Sequence, residues 1–430
     1  MRSSLHGAWQ AVSYTTHAQR FARATLDRPC GGGLPEEEPQ NAKQVPWRKA
    51  LVERFAILGA TVALVFLISG SATPSMNFDD ATSFAPTRSK PRVSQESEMV
   101  LRNVVTLSAA EFDGEFPDSA FLLAQGVSGR FFTTTRSRDA LVVFGEDGRF
   151  EAVVGGRGTD PGEFLRITSL IPLPDGAIAA YDVQLRRLTI VGPEQSVTST
   201  VSTEYRPIFL HETGDSYIAA QQVLTPERVG LPIHLIDFAG GVLNSFGANQ
   251  DEMFRADNPM AGARVVAEGP HGSVWSARPD RYVIERWDPL TGARLQQLVV
   301  DADWFAESTD SSSGPQSRPK PLIEGLWEHD GYLWALHRVP DANWERATPF
   351  TAEQPFDLEQ YNGMFDWVLE AIDPGTGNVL AHRRFQSVLW KSMQSPLIVS
   401  EARPAAEGSR RVSVWRAVLL HKPQHKERAP

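Results

Sequence analysis

The sequence predicts an all-β chain whose main domain is a six-bladed β-propeller, preceded by a single N-terminal signal or anchor helix and disordered segments, and three observations carry that expectation. From about residue 98 onward the apolar runs are short and are punctuated by Gly, Asp and Pro turn signals. Long segments with a 3.6-residue period are scarce. Two kinds of hairpin alternate along the chain, at roughly 40 to 60 residues per cycle, the length of a four-stranded blade.

The first kind is an Asp-Gly-type turn followed by a strand: GRFFTT after Ser128, AIAAYD after Gly176, SYIAA after Asp215, SVWSA after Gly272 and YLWAL after Gly331. The second is a strand running into another tight turn: LVVFGEDGRFEAVV from Leu141, LTIVGPEQSVTSTV from Leu188, HLIDFAGGVLNSF from His234, VIERWDPLTGARLQQL from Val283 and WVLEAIDPGTGNVLAHRRF from Trp367. Five cycles lie between Phe121 and Phe385. A sixth is expected from LIVSEARP and RRVSVWRAVLL between Leu397 and Leu420, completed by the strand Asn103 to Ser108 (NVVTLS). Pairing the first strand with the last blade closes the ring and leaves no open edge.

Ahead of this domain, Phe55 to Gly70 (FAILGATVALVFLISG) is almost wholly apolar, and no charge occurs from Phe55 to Asn77. Arg48, Lys49 and Arg54 precede it and Asp79 and Asp80 follow it, so the positive-inside bias sends the later residues across the membrane. An apolar core of about 16 residues suits both a long signal-peptide core and a short single span, and Gly70-Ser71-Ala72 supplies the small residues that cleavage needs. Both readings stay open. The expected order is a disordered or mis-started tail over 1–46, with a start near Val45 as one alternative, then a signal peptide or membrane anchor over 47–72. A polar linker over 73–97, the propeller over 98–422 and a disordered tail over 423–430 complete it.

Composition narrows the function classes. A net charge of -10 and a pI near 5.6 argue against a nucleic-acid binder, which needs a basic face. The lone cysteine, Cys30, precedes the apolar run, so neither an intrachain disulfide nor a Cys-based zinc site is expected, and no cysteine follows for a lipid anchor. Gly-x-Ser-x-Gly, P-loop and His-Glu-x-x-His motifs are absent, and Gly155-Gly156-Arg157-Gly158 lacks the Lys-Ser/Thr ending of a phosphate loop.

Residues 153–191 (VVGGRGTDPGEFLRITSLIPLPDGAIAAYDVQLRRLTIV) resemble an NHL repeat. Gly-x-Gly, then Pro161-Gly162-Glu163-Phe164, Asp175-Gly176 and Asp182 with Arg187 five residues later fall in that family's order. The other blades lack the Asp-to-Arg pair. The resemblance implies a six-bladed binding platform in which Asp182 and Arg187 are structural and pair with each other. Lyases and lactonases of that architecture gather His, Glu, Asn or Asp in the channel, and no such set is matched here. Fold analogy alone does not fix function.

With strands of a blade labelled A to D from the axis outward, A-to-B and C-to-D turns fall on one face and are short. The B-to-C and D-to-A connections fall on the other and lengthen at 224–231, 247–262, 301–320 and 338–365, and long loops on a rigid scaffold usually carry recognition. Candidate binding residues on that face are Arg136, Arg187, Arg278, Arg281 and Arg338, whose forked donors suit oxyanions, and Trp344 in an aromatic-rich cap. His211, His271 and His329 sit near short turns at different offsets and read as polar turn residues rather than metal ligands. The expectation is therefore a monomeric protein on the periplasmic or extracellular side of the envelope that binds a small molecule, glycan or protein on its long-loop face. It has no assigned catalytic residue, metal or cofactor, and meets the membrane through its N-terminal segment if that is uncleaved. The alternative is a metal-dependent propeller enzyme of the lyase or lactonase type.

Overall fold

The computed structural model describes residues 87–89, 97–108, 122–135, 137–203, 209–213, 216–220, 231–237, 241–247, 262–305, 318–347, 358–392, 396–402 and 411–421. They form an all-β propeller. The described residues begin with β1 (Thr87–Ser89) and β2 (Ser97–Ser108), which join sheets built by much later residues.

Six sheets follow in chain order. The first holds β3 (Ala124–Gln125), β4 (Phe131–Thr134), β5 (Leu141–Phe144) and β6 (Phe150–Val154); the second β7 (Ile167–Pro172), β8 (Ile178–Asp182), β9 (Arg187–Val191) and β10 (Val197–Ser202). The third holds β11 (Phe209–Thr213), β12 (Ser216–Ala220), β13 (Ile233–Asp237) and β14 (Val242–Phe246); the fourth β15 (Val265–Glu268), β16 (Val274–Ala277), β17 (Val283–Trp287) and β18 (Arg294–Val300). The fifth holds β19 (Leu322–His329), β20 (Tyr332–Pro340), β21 (Phe365–Ile372) and β22 (Val379–Phe385), and the sixth β23 (Trp390–Lys391), β24 (Leu397–Ala402), β25 (Arg411–His421) and β2. A short helix, α1 (Leu358–Met364), precedes β21.

The burial pattern explains why these residues choose strands. Middle strands touch neighbouring sheets on both faces and so read as continuous apolar runs: LVVF of β5, IAAYD of β8 and FDWVLEAI of β21 are buried throughout. The outermost strand has one wet face, and β10 (VTSTVS) alternates half-buried with exposed.

Each pair of consecutive sheets shares an apolar layer. Phe132 and Leu170 belong to the cluster between the first and second sheets, and Tyr181 and Ile236 to that between the second and third. Phe246 and Trp287 join the third to the fourth, Leu298 and Leu333 the fourth to the fifth, and Leu369 and Ile398 the fifth to the sixth. Phe144 of the first sheet packs with Val399 and Val414 of the sixth. Burying a side chain of this size contributes about 1.5–3 kcal/mol. The Ser392 hydroxyl also donates to the Leu123 carbonyl at 2.8 Å, tying the innermost strands of the last and first sheets.

The closing strand expected over 103–108 pairs antiparallel with β25 and starts earlier, at Ser97. The polar linker expectation over 73–97 is modified at two points, because Thr87–Ser89 run parallel to Leu298–Val300 as a fifth strand of the fourth sheet and Ser97 already belongs to β2. Among the described residues no helix is long and apolar enough to cross a membrane. Residues 1–72, with the apolar run 55–70, and the tail 423–430 lie outside the described residues.

Candidate functional site

The strand order sorts the connections into two classes. A-to-B and C-to-D connections span from two residues (214–215 and 330–331) to six (288–293 and 373–378), whereas the opposite end carries 247–264, 301–321 and 341–364. Parts of those longer connections, at 248–261, 306–317 and 348–357, lie outside the described residues, as does 221–230.

At the long-connection end, the fourth and fifth sheets enclose a polar network. Tyr282 arrives from the loop between β16 and β17, His337 from β20, Glu370 from β21 and His382 from β22. The strand register sets Ala335 opposite Glu370 and Glu370 opposite His382, so His337, two residues beyond Ala335, shares their face. The Tyr282 hydroxyl donates to Glu370 Oε2 in a short hydrogen bond, and His337 Nε2 lies 3.2 Å from that hydroxyl and 3.6 Å from Glu370 Oε2. His382 Nδ1 meets Glu370 Oε1 at 2.8 Å. Trp304 and Phe305, from the connection after β18, pack on the network, with ring centroids 5.0 and 5.8 Å from His337; Trp304 also reaches His382 at 5.8 Å.

Burial governs the electrostatics here. His337 is wholly buried, and desolvation pulls its pKa down to about 4, with Glu370 opposing and His382 adding to the shift. Burial, and then the charge and hydrogen bond of Glu370, push the Tyr282 phenol well above its ordinary range. The neutral His337 that results donates through Nε2 and leaves Nδ1 as an acceptor with no partner among the described residues. His382 is 29% exposed and is the network's contact with solvent. Among the described residues no group of three His, Cys, Asp or Glu is placed to hold a metal ion.

A second network occupies the other face of β20. Arg338 is 1% exposed, and its guanidinium lies 4.7 Å from the Phe365 ring and donates to the Tyr361 hydroxyl. Its Nε stands 3.1 Å from Glu324 Oε1 in poor alignment for a hydrogen bond. Burial lifts the Tyr361 phenol to about 12 against the pull of Arg338. Beside it Asp366 is held above its usual range, by burial first and by Asp341 as well, although Arg384 Nε donates to Asp366 Oδ2 at 2.6 Å.

The remaining residues singled out from the sequence are dispersed. Arg187 donates to the carbonyls of Thr159, Asp160 and Glu163 at 2.9, 3.0 and 2.5 Å. The Asp182 carboxylate accepts from the amides of Leu165, Arg166, Gln184 and Leu185 at 2.6, 2.7, 2.8 and 2.9 Å. Opposite each other in register, the two hold backbone and not one another, which corrects the expected local pair. Arg278 forms a forked pair with Asp280 at 3.0 and 2.7 Å, next in the loop to Tyr282. Arg281 is exposed, Trp344 is half-buried in a 3-10 turn (Trp344–Arg346), and Arg136 lies outside the described residues. Of the cap aromatics, Tyr361 and Phe365 are packed inside, while Phe350 and Phe356 lie outside the described residues. Sequence reasoning missed Tyr282, His337, Glu370 and His382, although the two carboxylates in FDWVLEAI, Asp366 and Glu370, and a lone imidazole in YLWALHRVP were visible signals.

Comparison with known proteins supports the fold. A family model described as a 6-bladed beta-propeller matches residues 123–189, the first sheet and most of the second. No curated protein matches the chain. Among solved structures, a Bacteroides fragilis protein described as exported superposes with a TM-score of 0.52 at 10% identity, covering 79% of this chain and 100% of its own. A duf4221-family member from Bacteroides vulgatus gives 0.53 at 8% identity over 75% of this chain and 99% of its own. Virginiamycin B lyase from Staphylococcus aureus, at 11% identity over 75% of this chain and 99% of its own, has a TM-score of 0.38 and carries no argument. The class defined is the β-propeller, and at these identities the likeness extends to fold alone.

Proposed function

We propose that the chain is an extracytoplasmic, six-bladed, NHL-like propeller that binds a small molecule, glycan or protein on its long-connection end, with blades 4 and 5 as the centre of recognition. The six-blade reading rests on six sheets in sequence and six shared apolar layers, the last joining sheet six to sheet one. NHL character rests on the Asp182 and Arg187 motif of the second sheet. Export rests on the apolar run 55–70 and its flanking charges.

The observation that carries the binding reading is the concentration at that end of the long connections with a buried acid-base network under a half-buried Trp304. Clefts with few convergent polar groups and shifted titrations are the usual binding sites of such scaffolds. Arg278 and Arg281 flank Tyr282 in the same loop, Trp344 lies in the 341–364 connection, and Arg338 supports that connection from beneath.

The test compares the intact chain with a variant lacking 341–362, using a panel of defined glycans, small carboxylates and peptides read by thermal shift. Binding seen in the intact chain and lost in a deletion variant with an unchanged far-ultraviolet spectrum is the expected result. Equal binding by both moves the site elsewhere. A phosphatase reporter fused after Pro430 reports location separately, and activity confined to the cytoplasm overturns the export reading.

A further inference from the structure

Lys391 is one of seven lysines in a chain that otherwise uses arginine for its cations, and among the described residues only Lys320 shares its type. It stands on β23, the innermost strand of the sixth sheet, paired in register with Ile398. Ile398 belongs to the layer shared with the fifth sheet, so Lys391 also faces that sheet. Directly across is Gly325 of β19. A Cβ on Gly325 would stand 2.8 Å from Lys391 Cβ and 3.0 Å from its Cδ, so only glycine leaves room for the lysine stem.

Among the described residues the ammonium has no ion-pair or hydrogen-bond partner. The neighbouring Ser392 hydroxyl is already engaged with Leu123, and Glu324, the nearest acid in sequence to Gly325, lies against Arg338. Lys391 retains partial exposure, so a small solute can reach it. Burial without a counter-charge draws its pKa down to about 8. A partly dehydrated cation with no partner among the described residues is costly to keep, and a methionine would fill the same apolar slot without that cost.

We propose that Lys391 anchors a binding site for a small oxyanion, a carboxylate in the first instance, on the inner wall of the propeller between the fifth and sixth sheets. The anion supplies the missing counter-charge, and the Gly325 notch fixes the stem that presents the amine. This site is separate from the network between the fourth and fifth sheets and does not depend on it.

The full chain is titrated with sodium acetate and with inorganic phosphate, against sodium chloride at matched ionic strength, while the lysine amines are followed by NMR. Lys391→Met assigns the resonance and serves as the control. In the wild type the Lys391 midpoint is expected to rise saturably with acetate or phosphate, and affinity to fall roughly tenfold per pH unit above the unliganded midpoint. Lys391→Met should bind at least tenfold more weakly. Gly325→Ala, which keeps the amine but displaces its stem, should also bind more weakly, with the fold of both variants verified by circular dichroism. An identical anion response in wild type and Lys391→Met, or no saturable response to either anion in the wild type, overturns the proposal.

Discussion

Gly148 illustrates how a single position is fixed by the closure of the ring. Its φ of +80° lies in the left-handed region, and a Cβ there would stand 2.4 Å from the carbonyl oxygen of Thr106 in β2. Ser108 N–H donates to the Gly148 carbonyl at 3.2 Å, so backbone meets backbone with no flexible side chain to yield. Gly148→Ala should destabilise the domain by about 2–3 kcal/mol in chemical denaturation, from strain and lost contact together. At His337 the prediction concerns pH. Its folded pKa of about 4 lies below the ordinary 6.5, so the unfolded chain takes up the proton more readily. Stability present above pH 6.5 is therefore lost as pH falls toward 4, by about 3 kcal/mol in total. His337→Gln should flatten the stability profile between pH 7 and 4 relative to wild type, and parallel profiles would refute the assignment.

At the scale of elements, β20 and β21 bring two unlike networks to the two faces of one hairpin. The loop 278–282 is stitched to β21 through Tyr282 and Glu370, a bond between adjacent sheets. Because each partner leaves the other buried and unsatisfied, Tyr282→Phe and Glu370→Gln should each destabilise by about 1–3 kcal/mol, and the double variant by less than their sum. Additive effects in that cycle would show that the two groups act independently. The same scale shows what was legible beforehand. The hairpins at GRFFTT, AIAAYD, SVWSA and YLWAL are strands as read, because turn glycines and apolar runs are local signals. The start of β2 was not: Arg102, Asn103 and Val104 are exposed in succession at a register shift, which breaks the two-residue alternation and hides Met99 and Leu101 upstream. The candidate network was hidden for a different reason. Its members come from separate loops and strands, and only the packing of one sheet on the next brings them together.

At the scale of the whole molecule, the repeat was legible and the wrap of the N-terminal segment around the fourth sheet was not, since TRS carries no apolar signal and borrows its partners from Leu298–Val300. A chain beginning at Ser97 should retain cooperative unfolding within a few degrees of the intact chain's midpoint, whereas one beginning after Ser108 should lose it, as followed by calorimetry. Similar midpoints for both would mean that β25 needs no partner. The consequence of that pairing reaches into biosynthesis. Asn103 bonds to Val414 at a separation of 311 residues, so the segment has no mate until 311 further residues have left the ribosome. It must wait in an unpaired, sticky state while those residues are made, which makes closure the slow and aggregation-exposed step of maturation and leaves any product terminated before Val414 with a raw edge for proteases to find.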